Sequence, residues 1–363
     1  MQFVSAHADE NENMFTFLKR SFTFRELRVE SPTDSPGPPE TAPNPNASPF
    51  LISPPQVVGN GDEDDAGDEL RREAILMGYG CGLSSSFSGP LPEGLCSGLA
   101  LERLSVNGNS FSGVLPMCLR NCSNLTRVRL DENQFSGNVS EVFGIHPRLS
   151  FISLRGNKFT GGLTAQWGKC RSLVGISMSR NKISGAIPAE LGNLADLQSL
   201  LLDSNKLTGN IPLEIGILKD LRILDLSGNQ LYGEVPEGLC SGLALEIFAI
   251  SRNNFLGSLP KCLKNCFKLS IVRVDGNQFS GHVSEVFGVH PDLVFISLSD
   301  NKFTGELSAQ WGKCVSLKNI SMSRNKISGA LPFELGKLKS LQTLQLDSND
   351  LTGDVPTKLG NCK

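Results

Sequence analysis

A 24-residue period constrains the fold of this chain more than any other feature of its sequence. From residue 101 onward a Leu recurs at every twenty-fourth position, an Asn follows each Leu by eight residues, and a Gly follows each Asn by four. The opening leucines are Leu101, Leu125, Leu149, Leu173, Leu197, Leu221, Leu245, Leu269, Leu293, Leu317 and Leu341. Such self-similarity is typical of solenoids, in which each repeat packs only against its neighbours. The sequence therefore predicts one elongated array over residues 78–363.

Each recurring residue has a physical role in this prediction. The alternation Leu-x-Leu predicts a short strand with two inward side chains, and such strands stack in parallel at about 4.8 Å. The Asn amide can satisfy backbone groups that would otherwise lack partners, and the Gly permits backbone angles that a Cβ hinders. In seven of the eleven turns a Pro stands three residues after the Gly and directs the chain into the outer arc. We expect an α/β solenoid with parallel strands on its concave face and irregular or 3-10 segments on its convex side.

The first 77 residues have a different composition. Nine prolines fall between residues 31 and 55, and residues 61–69 form an acidic run. Such segments bury too little apolar surface to offset chain entropy, which predicts that residues 1–77 are mostly disordered. A short helix near residues 69–77, and a strand or docking segment at residues 21–27, stay open. Between residues 78 and 100 one damaged turn is expected, because Phe87, Gly89 and Pro92 keep the repeat spacing.

A six-turn block of the array is present twice. The turns that open at Leu125, Leu149 and Leu173 match those at Leu269, Leu293 and Leu317 at 52 of 72 positions, 144 residues apart. A solenoid tolerates such a tandem duplication because only the period has to be kept. Within these blocks, we call residues 92–196 the first copy and residues 236–340 the second copy.

Several stretches of the repeat resemble a known family. The turn at residues 200–221, LLLDSNKLTGNIPLEIGILKDL, resembles the plant-specific class of leucine-rich repeat. Longer phrases, such as LPEGLCSGLALE, FISLRGNKFTGGLTAQWGKC and GAIPAELGNL, resemble ectodomains of plant leucine-rich repeat receptor-like kinases, and among these the MDIS1-interacting receptor-like kinase 2-like subgroup. This resemblance implies a right-handed superhelix on the extracellular face of the plasma membrane. Its concave face would bind a secreted peptide or protein together with a co-receptor kinase.

The family also has a signal peptide, a cysteine-paired N-terminal cap, a transmembrane helix and a cytoplasmic Ser/Thr kinase. No residues of this chain match these parts, so the sequence fits a fragment or remnant of such a receptor and not an enzyme. The alternative is a stand-alone leucine-rich repeat protein that acts as an inhibitor or scaffold by binding another protein, as wall-located polygalacturonase inhibitors do.

Other function classes find little support in the composition. Residues 1–77 carry 6 Lys/Arg against 14 Asp/Glu, and the remainder carries 28 against 23, too small an excess for a nucleic-acid partner. No run reaches 18 apolar residues, which argues against membrane insertion. The glycine cluster at residues 78–82 lacks a phosphate-binding Lys, and the four His have no metal or triad partners at useful spacing. We therefore expect no cofactor, metal or catalytic residue.

The candidate binding site lies on the concave face, at positions two, four, six and seven after each opening Leu. Arg127 and Arg129 would present two forked donors to a carboxylate. A similar Arg-x-Arg captures the free C-terminus of the ligand in peptide-hormone receptors of the resembled family. The competing interpretation is that these charges are solvated or pair with Asp131 and Glu132. The remaining candidate ligand-binding residues are Asp131, Phe151, Arg155, Arg180, Arg273, Phe295 and Arg324.

The second copy keeps Arg273 but has Ile271 in place of Arg127. If either copy binds an anionic group, the first copy is therefore favoured. The two phenylalanines on this face are either anchors for a ligand or partners in cross-strand packing.

Cysteines and glycosylation motifs bear on the compartment. The thirteenth residue after the Asn of a turn is an inward position, which predicts free buried thiols for Cys122, Cys170, Cys266, Cys314 and Cys362. Bridges Cys96–Cys118 and Cys240–Cys262 are geometrically plausible and would indicate an oxidising compartment. The motif Asn-x-Ser/Thr occurs at Asn46, Asn121, Asn124, Asn138 and Asn319, and these are candidate N-glycosylation sites.

Overall fold

The computed structural model describes residues 73–75, 87–96, 101–357 and 359. The chain divides into two units, Met1–Asp62 and Glu63–Lys363, and all described residues belong to the second unit. The expected disorder of residues 1–72, the strand or docking segment at residues 21–27, the thiol of Cys362 and the glycosylation motif at Asn46 lie outside the described residues.

A long sheet of twelve parallel strands runs through the second unit and confirms the predicted fold class. From Arg103 onward, neighbouring strands pair with an offset of 24 residues, as in Arg103 with Arg127 and Arg127 with Phe151. Residues with the same position number in successive turns therefore lie side by side. The strands are Glu73–Ile75, Arg103–Ser105, Arg127–Arg129, Phe151–Ser153, Gly175–Ser177, Ser199–Leu201, Ile223–Asp225, Ile247–Ala249, Ile271–Arg273, Phe295–Ser297, Asn319–Ser321 and Thr343–Gln345.

The first strand corrects one expectation. The sequence allows a short helix near residues 69–77, but Glu73–Ile75 is a strand that pairs in parallel with Arg103–Ser105. Glu73 faces Arg103, so this step spans 30 residues, six more than the repeat. The free edge of a parallel sheet offers unpaired backbone groups to any extended segment nearby, which outweighs the local helical composition.

A second set of strands follows the Asn of each turn, where the sequence predicted only irregular structure. They form a four-stranded and an eight-stranded sheet. The first comprises Ser88–Gly89, Ser110–Val114, Gln134–Asn138 and Lys158–Thr160. The second comprises Ser184–Gly185, Lys206–Gly209, Gln230–Gly233, Asn254–Ser258, Gln278–His282, Lys302–Glu306, Lys326–Ala330 and Asp350–Thr352.

The repeated Asn explains how these strands come into register. Asn133 donates its side-chain amide to the carbonyls of Leu130 and Val106 and accepts the backbone N–H of Phe111. One side chain thus joins two consecutive turns at the point where the chain leaves the long sheet. The equivalent asparagines make the same contacts along the array, which confirms the predicted ladder.

The outer arc consists of short helices, as predicted for the convex side. The 3-10 helices are Glu93–Cys96, Met117–Asn121, Ala165–Lys169, Ala189–Asn193, Leu213–Ile217, Glu237–Cys240, Lys261–Asn265, Ala309–Lys313 and Phe333–Lys337. The α-helices Val139–Val142 and Val283–Val286 occupy equivalent turns of the two copies. In these turns Ser140 and Ser284 stand where most other turns have Pro.

The core lies between the long sheet and the outer arc and is built of Leu, Ile, Val and Phe. Stacked rings run through it in both copies, with centroids 6.0 Å apart for Phe111 and Phe135 and 6.1 Å apart for Phe255 and Phe279. Gly137 has φ 104°, a conformation that side-chain-bearing residues rarely adopt. The duplicated turns therefore share one scaffold.

The disulfides differ from the expected bridges. Cys96 bonds to Cys122 and Cys240 bonds to Cys266, with Cα atoms 6.3 and 6.0 Å apart. The predicted partners, Cys118 and Cys262, are half-buried free thiols. The predicted bridges joined cysteines at the same level along the coil. The observed bridges join cysteines whose side chains point into the core, and Cys96 and Cys122 are accordingly only 4% and 1% exposed. The free buried thiols predicted for Cys170 and Cys314 are confirmed, but the same prediction for Cys122 and Cys266 is wrong, because both are buried next to a second inward cysteine and form the disulfides.

Two buried histidines join neighbouring turns in the outer arc. His146 shares a hydrogen bond between Nδ1 and the carbonyl of Cys122 at 3.0 Å and donates its backbone N–H to Cys170 Sγ. His290 makes the equivalent contacts with Cys266 and Cys314. Burial lowers the pKa of both imidazoles below the usual value of 6.5. Both histidines therefore favour the neutral form in the folded chain.

Candidate binding site on the concave face

One row of side chains distinguishes the concave face of the first copy. Arg103, Arg127, Phe151 and Gly175 all stand at position two of their turns and pair in register across four adjacent strands. The side chains of Arg103, Arg127 and Phe151 point away from the core because position three, one residue later, points inward. We call these four residues the Arg-Phe row.

Arg127 is the centre of this row. Its guanidinium lies over the ring of Phe151, 4.6 Å from the centroid, a favourable cation–π geometry. Partial burial, together with the positive charges of Arg129 and Arg103, lowers the pKa of Arg127 below its ordinary value, although the carboxylate of Asp131 partly opposes the shift. Three guanidinium groups therefore repel one another on this surface, and an anion between them would relieve that repulsion.

The predicted fork of Arg127 and Arg129 is altered by a local ion pair. Arg129 donates to Asp131 from Nε at 3.3 Å and from Nη2 at 3.1 Å. This was the competing interpretation for Arg129, and it is the arrangement in the structure. Arg127 has no carboxylate partner among the described residues. A carboxylate ligand would therefore meet Arg127 directly and would compete with Asp131 for Arg129.

Arg103 was missed in the sequence, although it stands at the same position as Arg127 one turn earlier. Reading each turn alone favoured Arg-x-Arg within one strand, whereas the sheet brings position two of adjacent turns together. Gly175 was also missed as part of the site. A Cβ added there would meet Cδ2 of Phe151 at 2.8 Å, so the absence of a side chain accommodates the ring.

The other predicted residues of the first copy lie at the edge of this face. Arg155 and Arg180 both contact Glu132, at 3.2 and 3.5 Å. These ion pairs are partly exposed, and pairs of this kind contribute little to stability. Arg155 and Arg180 therefore add positive charge beside the Arg-Phe row, but both already contact Glu132.

The equivalent row of the second copy has three apolar residues and one amide in place of the two arginines, the ring and the glycine. Ile247, Ile271, Phe295 and Asn319 pair in register at position two, and Ile271 is only 4% exposed. The second copy keeps Arg273, but this residue is buried and its guanidinium lies 5.8 Å from the centroid of Phe295.

A carboxylate pair and an ion pair lie on the same face beyond this row. Burial and the neighbouring carboxylate of Asp203 raise the pKa of Asp225 to about 7, although a backbone N–H from Ser227 opposes the shift. Arg324 pairs with Asp300, with Nη2 and Oδ2 2.7 Å apart. Arg324 is thus paired within the chain.

The candidate glycosylation sites have different surroundings. Asn121 is exposed and Asn124 is half-buried. Asn138 donates to Glu141 and accepts from the backbone N–H of Ser140, so its side chain caps the following helix. Asn319 lies on the concave face and donates to Oγ1 of Thr343 at 3.1 Å.

Neither a metal site nor a membrane span is found in the part of the chain that the structure describes. No group of three or more His, Cys, Asp or Glu among these residues could hold a metal ion. No helix within the same ranges is long and apolar enough to cross a membrane.

Comparison with known proteins defines the class. A family model described as Leucine Rich Repeat matches residues 100–122, 172–194, 220–241, 316–338 and 340–362. Together with the stacked parallel strands, this match shows that the described part of the chain has a leucine-rich repeat fold. No curated protein matches the chain.

Several solved structures similar to this chain are ectodomains of plant receptor kinases. The leucine-rich repeat ectodomain of the Arabidopsis receptor kinase HAESA, in complex with an N-terminally extended IDA peptide hormone, is 30% identical with a TM-score of 0.73 over 76% of this chain and 46% of that chain. HAESA with IDA and the co-receptor SERK1 is 28% identical, with a TM-score of 0.70 over 76% and 50%.

A third similar structure is that of the Arabidopsis plant membrane receptor kinase GASSHO1/SCHENGEN3 in complex with CASPARIAN STRIP INTEGRITY FACTOR 2. Its ectodomain is 30% identical, with a TM-score of 0.67 over 76% of this chain and 36% of that chain. The chain therefore spans half or less of the length of each of these ectodomains.

Proposed function

We propose that residues 78–363 are the ligand-binding part of a plant receptor-like kinase ectodomain. In this proposal the concave face recognises a secreted peptide or protein outside the cell, together with a co-receptor kinase. Similarity to ectodomains that bind IDA and CASPARIAN STRIP INTEGRITY FACTOR 2 supports the ligand class, and the complex with SERK1 supports the co-receptor. The proposal includes the finer resemblance to the MDIS1-interacting receptor-like kinase 2-like subgroup, supported by the repeat phrases.

The Arg-Phe row carries the proposal for where the ligand binds. Arg127 brings a cation that is held against Phe151 and has no carboxylate partner within the described residues. Arg103 and Arg129 add positive charge on either side of it. A terminal carboxylate fits this environment because guanidinium groups bind carboxylates through two parallel hydrogen bonds.

Phe151 contributes orientation rather than charge. Stacking restricts the rotamers of Arg127, so less side-chain entropy is lost when a ligand binds. Arg129 contributes in a different way, because a ligand must displace Asp131 to reach it. The first copy thus offers the guanidinium of Arg127, which is already positioned, and that of Arg129, which must leave Asp131 to bind a ligand.

The proposal can be tested with synthetic peptides of varied sequence, each immobilised through its N-terminus as a free acid and as an amide. We expect the chain to prefer the free acids by roughly tenfold, the difference that a hydrogen bond to a charged group typically makes. Arg127→Ile, which installs the residue of the second copy, should remove this preference. Arg127→Lys is the matched control and should retain part of it, because charge remains but the fork does not.

Two results would count against the site. Equal binding of acids and amides by the unaltered chain would show that no terminal carboxylate is recognised. An equal loss of both forms in Arg127→Ile would show that the residue supports the surface without contacting the carboxylate.

A further inference from the structure

Asn319 stands at a position where the concave faces of the two copies differ, because the first copy has Gly175 there. It opens the strand Asn319–Ser321 and is half-buried, with its side chain on the concave face beside Thr343. The residues Asn319, Ile320 and Ser321 form an acceptor motif for N-linked glycosylation. The motif therefore lies on the face that would otherwise be free to bind a ligand.

The first copy differs from this motif by one residue. Its equivalent strand is Gly175-Ile176-Ser177, so only Gly175 in place of Asn prevents glycosylation there. The ring of Phe151 occupies the space that a Cβ of residue 175 would need. One position thus belongs to the Arg-Phe row in the first copy and to an acceptor motif in the second.

The surroundings of Asn319 suit a first sugar residue. Phe295 pairs with Asn319 on the adjacent strand and is half-buried, so part of its ring faces solvent. In the first copy a guanidinium covers the equivalent ring at 4.6 Å, whereas in the second copy the nearest described one lies at 5.8 Å on a buried arginine. Phe295 therefore offers an aromatic surface on which the apolar face of an N-acetylglucosamine can pack.

We propose that Asn319 carries an N-linked oligosaccharide that covers the concave face of the second copy from Phe295 to Thr343. The amide nitrogen of Asn319 attacks C1 of the first N-acetylglucosamine of a polyprenyl-diphosphate-linked oligosaccharide. An N–C bond forms, the amide loses one proton to a base, and the diphosphate leaves with the electrons of the broken C–O bond. The transfer takes place before the strand joins the sheet.

This modification would leave the Arg-Phe row uncovered, because four strands of the long sheet separate Gly175 from Phe295. The inference rests on the proposed function in one respect, the entry of the chain into the secretory pathway. It does not depend on whether Arg127 binds a carboxylate.

Asn121 provides an internal reference for the test. It is exposed on the outer arc, beside an open groove that Arg120 and Gln166 also line. A sugar at Asn121 would show that the chain met the glycosylation machinery, independently of the concave face.

The experiment uses the full chain, directed into the secretory pathway of plant cells and mapped by glycopeptide mass spectrometry. We expect a sugar at Asn319 in most molecules and none in Ser321→Ala, which keeps the Asn but removes the motif. Gly175→Asn completes the motif at the first copy and should gain a sugar at that position. Absence of a sugar at Asn319, whether or not Asn121 is modified, overturns the proposal.

Coverage is tested separately by hydroxyl-radical footprinting. Oxidation of Phe295 should rise several-fold in Ser321→Ala and after enzymatic removal of the sugars, while oxidation of Phe151 stays unchanged. Asn319→Gln should behave as Ser321→Ala does, because it also removes the acceptor. A glycosylated Asn319 without any change at Phe295 would overturn the covering role. Neither result alters the comparison of free and amidated peptides that tests the proposed function.

Discussion

The two copies place different side chains on the same framework. Phe135 and Phe279 occupy equivalent core positions and are both fully buried, and the helices Val139–Val142 and Val283–Val286 begin at equivalent residues. At position two of the strands, however, Arg103, Arg127 and Gly175 correspond to Ile247, Ile271 and Asn319. In this duplicated solenoid, the residues that differ between the copies are the candidates for function, because the residues that match are explained by packing.

The largest expected effect is a loss of unfolding free energy, and it should be the same in both copies. Phe135→Ala and Phe279→Ala each remove a ring from a continuous stack, and substitutions of this kind cost about 3–5 kcal/mol. We expect the two losses of unfolding free energy to agree closely in chemical denaturation. A loss in one copy that is much smaller than in the other would mean that the copies do not share one scaffold.

The second effect is a pH dependence of stability at Asp225, which lies in the sequence between the two copies. Its pKa of about 7 exceeds the usual 3.8, so the folded chain retains a proton that the unfolded chain releases. Stability from this group is complete below pH 3.8 and is lost as pH rises towards 7. Asp225→Asn should therefore be more stable than the unaltered chain at pH 7 and similar to it near pH 3.8. Thermal denaturation across this range measures the difference, and a constant difference would contradict the assignment.

A third effect should be shared by the buried histidines. Burial lowers the pKa of His146 and His290, so the unfolded chain takes up protons more readily than the folded one. Their contribution to stability is complete above pH 6.5 and is lost as pH falls below that value. His146→Gln and His290→Gln should each flatten this loss by a similar amount. If only one variant changes the pH profile, the two turns are not equivalent.

The smallest expected effect is a change in the preference for free-acid peptides, and it should occur in the first copy only. Asp131→Ala releases Arg129 from a partly exposed ion pair worth roughly 1 kcal/mol. We expect a few-fold stronger preference for free-acid peptides. The matched change in the second copy, Asp275→Ala, should have no effect on that preference. An equal gain in both variants would place the ligand elsewhere.

Much of this fold could be predicted from the sequence because the repeat states its own constraints. The spacing of Leu101 to Leu125 fixes the register of the long sheet, and the amide of Asn133 has the donors and acceptor that a link between turns needs. The second set of strands could not be predicted, because residues such as Ser110–Val114 pair only with the same segment of the next turn.

The site was predicted only in part, for a similar reason. Arg127 and Phe151 were identified from their position in the repeat, but Arg103 becomes part of the site only through pairing between strands. The pairing of Arg129 with Asp131 depends on side-chain conformation. The bridge Cys96–Cys122 depends on which way each side chain points, which spacing alone left undecided.

The central claim is that the Arg-Phe row confers recognition of a carboxylate. It is tested most directly by rebuilding that row in the second copy, with Ile247→Arg, Ile271→Arg and Asn319→Gly combined in the Arg127→Ile background. Binding of free-acid and amidated peptides is then measured as before. We predict that Arg127→Ile alone loses the preference for free acids and that the combined variant regains it. A folded combined variant that binds both peptide forms equally would contradict it.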